Sequence, residues 1–403
     1  MNKPVWLAAV LLSIAASAAG GAEPPAAPEQ AVRPVVGNAE SEAQFVWNLF
    51  AQAMKPVSGG SLTFETWTEQ CQLNPKLAGC PTGAAAKGQT RTLHGSALAH
   101  AARLRLGKKP DAISQGGIEC NAMQTTPLNG YQPPTNLAPN AQFCEEVFVN
   151  GDEATFIRQN GLTTLTGQQT YAKTQGGAIT FPWTSIEIKA DWVPTSSYTS
   201  PTFQCPDPTN KLYTETINGT CYALVGLHIS SKALPDWVWA TFEPASSVTN
   251  PNRCDPTLYN ACFDPWGTVS KTPYGKGVTV AQSPQLQQLM AAFGLNKAFN
   301  NYYLTGVQTQ FVTGSGAAIP LGSSFVEFNA GVNPGQASCI TCHKYAYLGG
   351  KLQSPQLNFG GPPTGWPAVG YACNKNQQGN CTPVIPNSVS QDFSWILGLM
   401  PVK

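Results

Sequence analysis

Five consecutive residues near the C-terminal end carry the clearest chemical pattern in this sequence. Cys339-Ile340-Thr341-Cys342-His343 has the C-x-x-C-H spacing of covalent c-type haem attachment. Two intervening residues place both sulfurs on one helical turn, where they can bond the two vinyl groups of the porphyrin. The pattern therefore predicts one haem c, attached through Cys339 and Cys342, with His343 as the proximal iron ligand.

Three other sites can use part of the same pattern. A thioredoxin-like redox pair belongs to a βαβ unit, and no such pattern surrounds these residues. A zinc site needs further ligands, but no second cysteine pair has ligand spacing and the chain has only 4 His. A plain disulfide leaves the adjacent histidine unexplained. The histidine and the N-terminal sequence described below favour haem.

The residue on the other side of the iron decides what a haem can do, because axial ligands set its potential and an open site permits ligand chemistry. Met400 follows His343 at a separation typical of a small class I cytochrome c, but the sequence ends three residues later. His228 lies between apolar neighbours, so a core histidine, an iron ligand and a distal acid/base all stay open. An open or water-bound site is a further alternative, and the weaker candidate ligands are His94, His100, Met54, Met123 and Met290.

The N-terminal residues predict export. An apolar run from Val5 to Ala16 follows Lys3 and leads into small residues, the pattern of a secretory signal peptide over residues 1–22. The run is shorter than the roughly 20 residues of a spanning helix, and no later segment is long and apolar enough to cross a membrane. Residues 23–36 form a flexible Pro/Ala-rich leader. We therefore expect a soluble protein that is periplasmic or secreted.

The cysteine content suits that compartment. Of 12 cysteines, all but the two of the C-x-x-C-H pattern lie in close sequential pairs. Paired cysteines in an oxidising compartment are typical of disulfides, although spacing does not fix their connectivity. Each pair brackets a short loop rich in Pro, Gly and Asn, so we predict nearest-neighbour disulfides: 71–80, 120–144, 205–221, 254–262 and 373–381.

Period-two alternation dominates the middle of the chain. Residues 185–193 alternate apolar positions with Glu187, Lys189 and Asp191, which predicts a strand. Residues 220–230 are apolar on both faces, so this strand is expected to be central. Further strands are predicted at 61–68, 163–165, 169–173, 237–243, 302–312 and 324–329, and helices at 39–54, 90–106, 283–293 and 339–348.

These elements predict a β-rich α+β fold, with an antiparallel sheet or sandwich as core and a few helices. We expect residues 37–335 to form this domain and residues 336–403 to form a haem attachment segment packed with it as one unit. Helix 39–54 is expected to begin with a capping box of Ser41 and Gln44.

The charge balance excludes one class of partner. Without Lys3 the basic and acidic residues are equal, 23 − 1 = 22 against 22. A neutral chain lacks the basic surface that binds nucleic acid or anionic lipid. The expected partner is a redox protein or a small-molecule substrate.

Five segments resemble a group of secreted bacterial single-haem proteins, the "cytochrome c family" proteins. They are FETWTEQ (64–70), SIEIKADW (185–192), GLHISSK (226–232), DWVWATFEP (236–244) and CITCHKY (339–345). The resemblance covers most of the chain and implies one haem unit whose motif comes late in a long, β-rich sequence. It implies roles for Cys339, Cys342 and His343 alone, and members often have a histidine where this chain has Pro244.

Two functions follow from these expectations. The first is electron transfer through a single haem, although a carrier needs only one small domain. The second is a haem-c oxidoreductase, peroxidase-like or oxygenase-like, in which the large domain supplies an open distal site. There His228 would be the acid/base, and Trp237 or Trp239 would lie near the haem edge. Trp192 and Trp395 are further candidates for a haem pocket, but the core of a β-rich protein also accounts for all four rings and is the favoured interpretation. A haem-bearing binding or structural protein is a third, weaker alternative.

Overall fold

An antiparallel eight-stranded sheet organises the chain in the computed structural model. The structure describes residues 33–74, 91, 93, 120–128, 130–199, 203–245, 250–258, 261–313, 315, 319–329, 331–344, 346–349, 373–375, 381–383 and 388–397. The strands are β1 (Thr68–Glu69), β2 (Asn121–Ala122), β3 (Gln142–Val149), β4 (Ile186–Pro194), β5 (Thr214–Ile217), β6 (Thr220–Ser231), β7 (Val238–Pro244) and β8 (Tyr302–Gln308). Their order is β1-β3-β4-β6-β7-β8, with β2 paired to β3 and β5 to β6.

The described residues also form seven α-helices, short 3₁₀ turns and two small two-stranded antiparallel sheets. The helices are α1 (Ala39–Ala53), α2 (Gln70–Leu73), α3 (Gly151–Gln159), α4 (Leu165–Thr174), α5 (Pro284–Ala292), α6 (Val326–Asn329) and α7 (Cys339–His343). The small sheets pair β9 (Tyr347–Gly349) with β12 (Ser388–Ser390), and β10 (Cys373–Lys375) with β11 (Cys381–Pro383). No helix among the described residues is long and apolar enough to span a bilayer.

The large sheet has an apolar face that packs on α1. Trp47 and Phe50 of α1 lie with their ring centroids 4.8 and 4.7 Å from that of Phe242 on β7. Edge-to-face and tilted aromatic contacts of this kind add to the free energy of apolar burial. This layer explains why one face of β4 is apolar.

The opposite face of the sheet is polar, and it is largely covered as well, with Lys189 and His228 partly buried. Direct cross-strand pairing places Lys189 of β4 beside His228 of β6, and His228 beside Thr241 of β7. A second apolar cluster covers part of this face, and it includes Trp239, Ile340 of α7 and Phe393. The C-x-x-C-H helix therefore packs over the polar face rather than at a separate end of the molecule.

Several sequence predictions are confirmed. The β-rich α+β class holds, with a single main antiparallel sheet as its core. Strand β6 is central, between β4 and β7, as its two apolar faces predicted. Helix α5 begins where Ser283-Pro284 predicted, because the Ser283 side chain accepts a hydrogen bond from the Leu286 amide. Disulfides join Cys120 to Cys144, Cys205 to Cys221 and Cys254 to Cys262.

Other local predictions are wrong. Residues 163–165 and 169–173 were expected as strands, but the structure has helix α4 there, capped by the Thr164 side chain. Residues 61–68 contain a 3₁₀ turn, Thr63–Thr66, and residues 324–329 contain helix α6. Helix α1 is capped by Asn38, whose side chain accepts from the Ser41 amide, rather than by Ser41.

Two disulfide predictions and several elements stay untested. Cys71 is disulfide-bonded, and its predicted partner, Cys80, lies outside the described residues. Cys373 and Cys381 lie on the paired strands β10 and β11, whose side chains are not described. The predicted signal peptide at 1–22 lies outside the described residues. So does the predicted helix at 90–106 with His94 and His100, except for positions 91 and 93.

Candidate functional site

Helix α7 presents the C-x-x-C-H residues, and its first turn is fixed by neighbouring side chains. Ser338 caps the helix, since its hydroxyl oxygen accepts from the Thr341 amide at 3.3 Å. Gln308 at the end of β8 supplies a second acceptor, with 3.0 Å between its Oε1 and the Ile340 amide nitrogen. These contacts satisfy amides that a helix N-terminus leaves without intrahelical partners, so a short helix keeps its orientation on the sheet.

His343 is held by a backbone carbonyl. Its Nδ1 lies 2.7 Å from the carbonyl oxygen of Phe393. A carbonyl only accepts, so Nδ1 carries the hydrogen, and the lone pair of Nε2 is left for another partner. Burial lowers the pKa of His343 to about 4, which keeps the ring neutral at ordinary pH. This is the tautomer and protonation state of a histidine that binds a metal through Nε2.

An indole ring fixes the plane of that imidazole. The ring centroids of Trp239 and His343 are 4.3 Å apart, with an interplanar angle of 46°. Trp239 is itself anchored, because its indole N–H donates to the Asp236 carbonyl at 2.9 Å. Of the tryptophans predicted near a haem, Trp239 lies at the motif and Trp237 stacks on it at 6.0 Å. Trp192 packs elsewhere, beside Arg91 and Tyr213.

The two cysteines of the motif differ from the other described cysteines. Cys339 and Cys342 are unpaired and partly exposed. Burial raises the pKa of both thiols, that of Cys342 to about 12. Cysteines that exchange disulfides have a lowered pKa, so these thiols lack the thiolate character of a thioredoxin-like pair. Among the described residues no group of three or more His, Cys, Asp or Glu could hold a metal ion, which leaves the zinc alternative unsupported there.

The polar sheet face brings His228 to the same region as the motif. His228 Nδ1 and Thr241 Oγ1 share a hydrogen bond of 3.0 Å, and His228 Nε2 lies 3.9 Å from Asp191 Oδ2. The pKa of His228 is well below its ordinary value because the ring is buried and because Lys189 adds positive charge nearby. Lys189 also contributes to the lowered pKa of His343, and its positive charge opposes part of the rise that burial causes in the pKa of Cys339. The motif and the polar face therefore share one electrostatic environment.

The Asp191 carboxylate and the His228 ring, which are neighbours on this face, have atoms without a hydrogen-bond partner among the described residues. These atoms are Oδ1 and Oδ2 of Asp191 and Nε2 of His228. Buried polar atoms without partners are uncommon in folded proteins, and they mark places where a water or ligand completes the contacts. Asp191 is fully buried, and burial raises its pKa well above the ordinary value.

The other predicted ligands lie away from the motif or outside the described residues. Met123 belongs to an apolar cluster with Phe143 and Phe325, and Met290 accepts a contact from Gln282 Nε2 at 3.6 Å. Met54 is buried at the C-terminal end of α1. Met400, His94 and His100 lie outside the described residues, so their predicted roles are untested.

The sequence did not reveal the residues that support the motif. Gln308 and Phe393 contact it from strand β8 and from the segment 388–397, yet neither residue type signals a site by itself. Asp191 and Lys189 were visible as the charged half of an alternating strand. That alternation normally indicates a solvent face, whereas here both faces of the strand are covered.

The residues of the motif fit a covalently attached haem. Two free sulfurs lie on one helical turn, and the adjacent imidazole has its Nδ1 hydrogen bonded and its Nε2 available. Comparison of the chain with protein-family models, curated proteins and solved structures yields no match. The resemblance to single-haem cytochrome c family proteins therefore stays a prediction that rests on the five quoted segments.

Proposed function

We propose that this chain is an exported redox protein that carries one haem c and transfers electrons through it. Cys339 and Cys342 would be the attachment residues, and His343 would bind the iron. The observation that carries the proposal is the hydrogen bond from His343 Nδ1 to the Phe393 carbonyl, which leaves Nε2 free beside two unpaired cysteines. The disulfides support an oxidising compartment, where c-type haem is attached.

A bound haem supplies a one-electron couple whose potential depends on axial ligands, hydrogen bonds and burial. The chain's own residues would set those conditions. Phe393 orients the imidazole and makes it a stronger donor, because its carbonyl attracts the Nδ1 hydrogen. Trp239 and the apolar cluster around Phe393 exclude water from the His343 side. With equal numbers of acidic and basic residues in the mature sequence, a redox partner protein would dock through shape and apolar contact rather than through strong electrostatic steering.

A second candidate is a haem-c oxidoreductase, and one observation favours it. His228 Nε2 and the Asp191 carboxylate lack hydrogen-bond partners among the described residues, although both lie in the interior beside the motif. In this function His228, held at Nδ1 by Thr241, would move a proton to or from a small-molecule substrate, with Asp191 as its neighbour. An electron carrier has no need of such a pair.

Absorption spectra of the purified protein test both functions. Electron transfer predicts ferric and ferrous haem c spectra of a low-spin, six-coordinate iron that cyanide does not alter; ligation by Met400 would add its weak red-region band. The oxidoreductase predicts a high-spin ferric spectrum whose Soret band shifts with cyanide, and His228→Ala would then abolish turnover with peroxide. A protein that reaches the periplasm without any haem absorption contradicts both.

A further inference from the structure

The carbonyl that holds His343 belongs to an unusual backbone turn. Asp392 and Phe393 have φ angles of +53° and +69°. Residues other than glycine rarely adopt this left-handed conformation, and for a bulky residue such as Phe393 it is an outlier. Two consecutive residues in this region persist only where the surrounding structure holds them. Contacts with the rest of the fold must therefore fix the turn.

A buried ion pair fixes its first residue. Lys232 Nζ lies 2.6 Å from Asp392 Oδ1, and the Phe181 amide donates to Asp392 Oδ2 at 2.8 Å. Lys232 is only 1% exposed, and its ammonium also donates to the Pro235 carbonyl at 2.7 Å. A lysine is seldom buried this completely unless it is paired. Removal of one partner would leave the other charge in the interior.

The rest of the turn is tied both to the sheet and to the motif helix. The Ser394 hydroxyl donates to Glu187 of β4. The Gln391 amide donates to the Ala346 carbonyl at 2.9 Å, and the Ala346 amide donates to the His343 carbonyl at 2.9 Å. The turn therefore has one anchor at each end, and among the described residues the Lys232–Asp392 contact is the ion pair that its left-handed residues make.

We propose that Lys232 and Asp392 are positioning residues for His343: their ion pair holds the turn that aims the Phe393 carbonyl at the imidazole Nδ1 hydrogen. The consequence for iron rests on the proposed function. A hydrogen bond at Nδ1 makes the imidazole a stronger electron donor to the iron and favours the ferric state. Loss of this hydrogen bond therefore raises the reduction potential. The same hydrogen bond fixes the tautomer of His343, and this effect does not require a bound haem.

The test uses the holoprotein and compares Asp392→Asn with a matched control, Asp264→Asn. Asp264 is equally buried and also accepts from a backbone amide, that of Gly267, but its other partner is Trp47 on the opposite face. We expect Asp392→Asn to raise the potential by about 59 mV, a tenfold change in the one-electron equilibrium, and Asp264→Asn to leave it unchanged. Equal potentials in wild type and Asp392→Asn, or equal shifts in both variants, would overturn the proposal.

A milder variant and a second measurement test the proposal even if Asp392→Asn fails to fold or to bind haem. Lys232→Gln keeps a donor but removes the charge, and a smaller shift in the same direction is expected. Selective ¹⁵N-histidine NMR reports the His343 tautomer in protein with or without haem. The wild type should show hydrogen on Nδ1 alone, and the Lys232 and Asp392 variants a mixture. An unchanged tautomer contradicts the positioning role, whereas a haem-free wild type contradicts only the proposed function.

Discussion

Replacement of Gln308 by methionine tests whether strand β8 fixes the start of the motif helix. The Gln308 side chain is 1% exposed and makes three hydrogen bonds. Its Oε1 accepts from the Ile340 amide at 3.0 Å, and its Nε2 donates to the Ser338 hydroxyl at 3.0 Å and to the Ile319 carbonyl. Methionine has similar length and shape and can make none of these bonds.

The expected cost follows from those contacts. Each net hydrogen bond contributes about 0.5–1.5 kcal/mol, and a buried group left without a partner costs about 1–3 kcal/mol. Methionine recovers part of the lost free energy because burial of its apolar side chain contributes about 25 cal/mol per Å². We therefore expect Gln308→Met to lower the free energy of unfolding by about 3 kcal/mol. Because α7 loses its anchor, the fraction of purified protein that carries covalent haem should fall as well.

Equilibrium unfolding in urea with the disulfides intact measures the change. The matched control is Gln287→Met on the exposed side of α5, where the glutamine makes one bond, to the Gln282 carbonyl at 3.2 Å. Exposed substitutions of this kind change stability by about 0.5 kcal/mol or less. If Gln308→Met unfolds at the same urea concentration as Gln287→Met, β8 does not hold the helix and the account of the motif's support is wrong.

Two further predictions concern helix α6 and the hairpin of β5 and β6. Burial raises the pKa of Glu327 to about 7 from 4.5, so its protonated form stabilises the fold below pH about 4.5 and this contribution is lost as the pH rises through 7. Glu327→Gln, which does not titrate, should therefore gain about 3 kcal/mol relative to wild type between pH 4.5 and 8 in urea unfolding; a constant difference across that range contradicts the burial argument. The Cys205–Cys221 disulfide closes a separation of 16 residues, so Cys205→Ser with Cys221→Ser should cost about 3 kcal/mol in thermal unfolding. An unchanged melting temperature would show that the hairpin of β5 and β6 is constrained without it.

The elements that the sequence predicted are those with one strong local signal. Strand β4 alternates from Ile186 to Trp192, and helix α5 starts at a serine and a proline whose preferences agree. Helix α4 carried conflicting signals, since Gly167 and several threonines lie within it and its cap, Thr164, resembles a strand residue. Strand β3 was not predicted, because its cysteine and two glutamates obscure the alternation, and only its pairing with β4 explains it.

The residues of the site also divide into those that the sequence predicts and those that it does not. Cys339, Cys342 and His343 are adjacent in sequence, so their spacing predicts the chemistry. Their supports are not adjacent: Phe393 acts through a carbonyl that every residue possesses, and the Lys232–Asp392 pair joins residues separated by 160 positions. Long-range contacts of this kind leave no periodic or compositional signal. They become visible only when the fold places the segment 388–397 on the sheet.

The charged residues of β4 illustrate the limit of pattern reading. Alternation separates Lys189 and Asp191 from the apolar positions, which is correct, but it does not say whether the charged face meets water. Here a second layer covers that face, so a carboxylate and an imidazole are buried beside the motif without hydrogen-bond partners among the described residues. The same sequence pattern thus gives a solvated surface in one fold and a candidate reaction site in another.

Mass spectrometry of the proteolytic peptide that contains residues 339–343 tests the central proposal most directly. The protein should be produced with its export signal in a bacterium that matures c-type haem, and extracted with acidified acetone to remove loosely bound cofactor. We predict that the peptide carries the mass of one haem on Cys339 and Cys342, and that Cys339→Ser with Cys342→Ser loses it. An unmodified dithiol, or a disulfide between the two cysteines, would contradict the account.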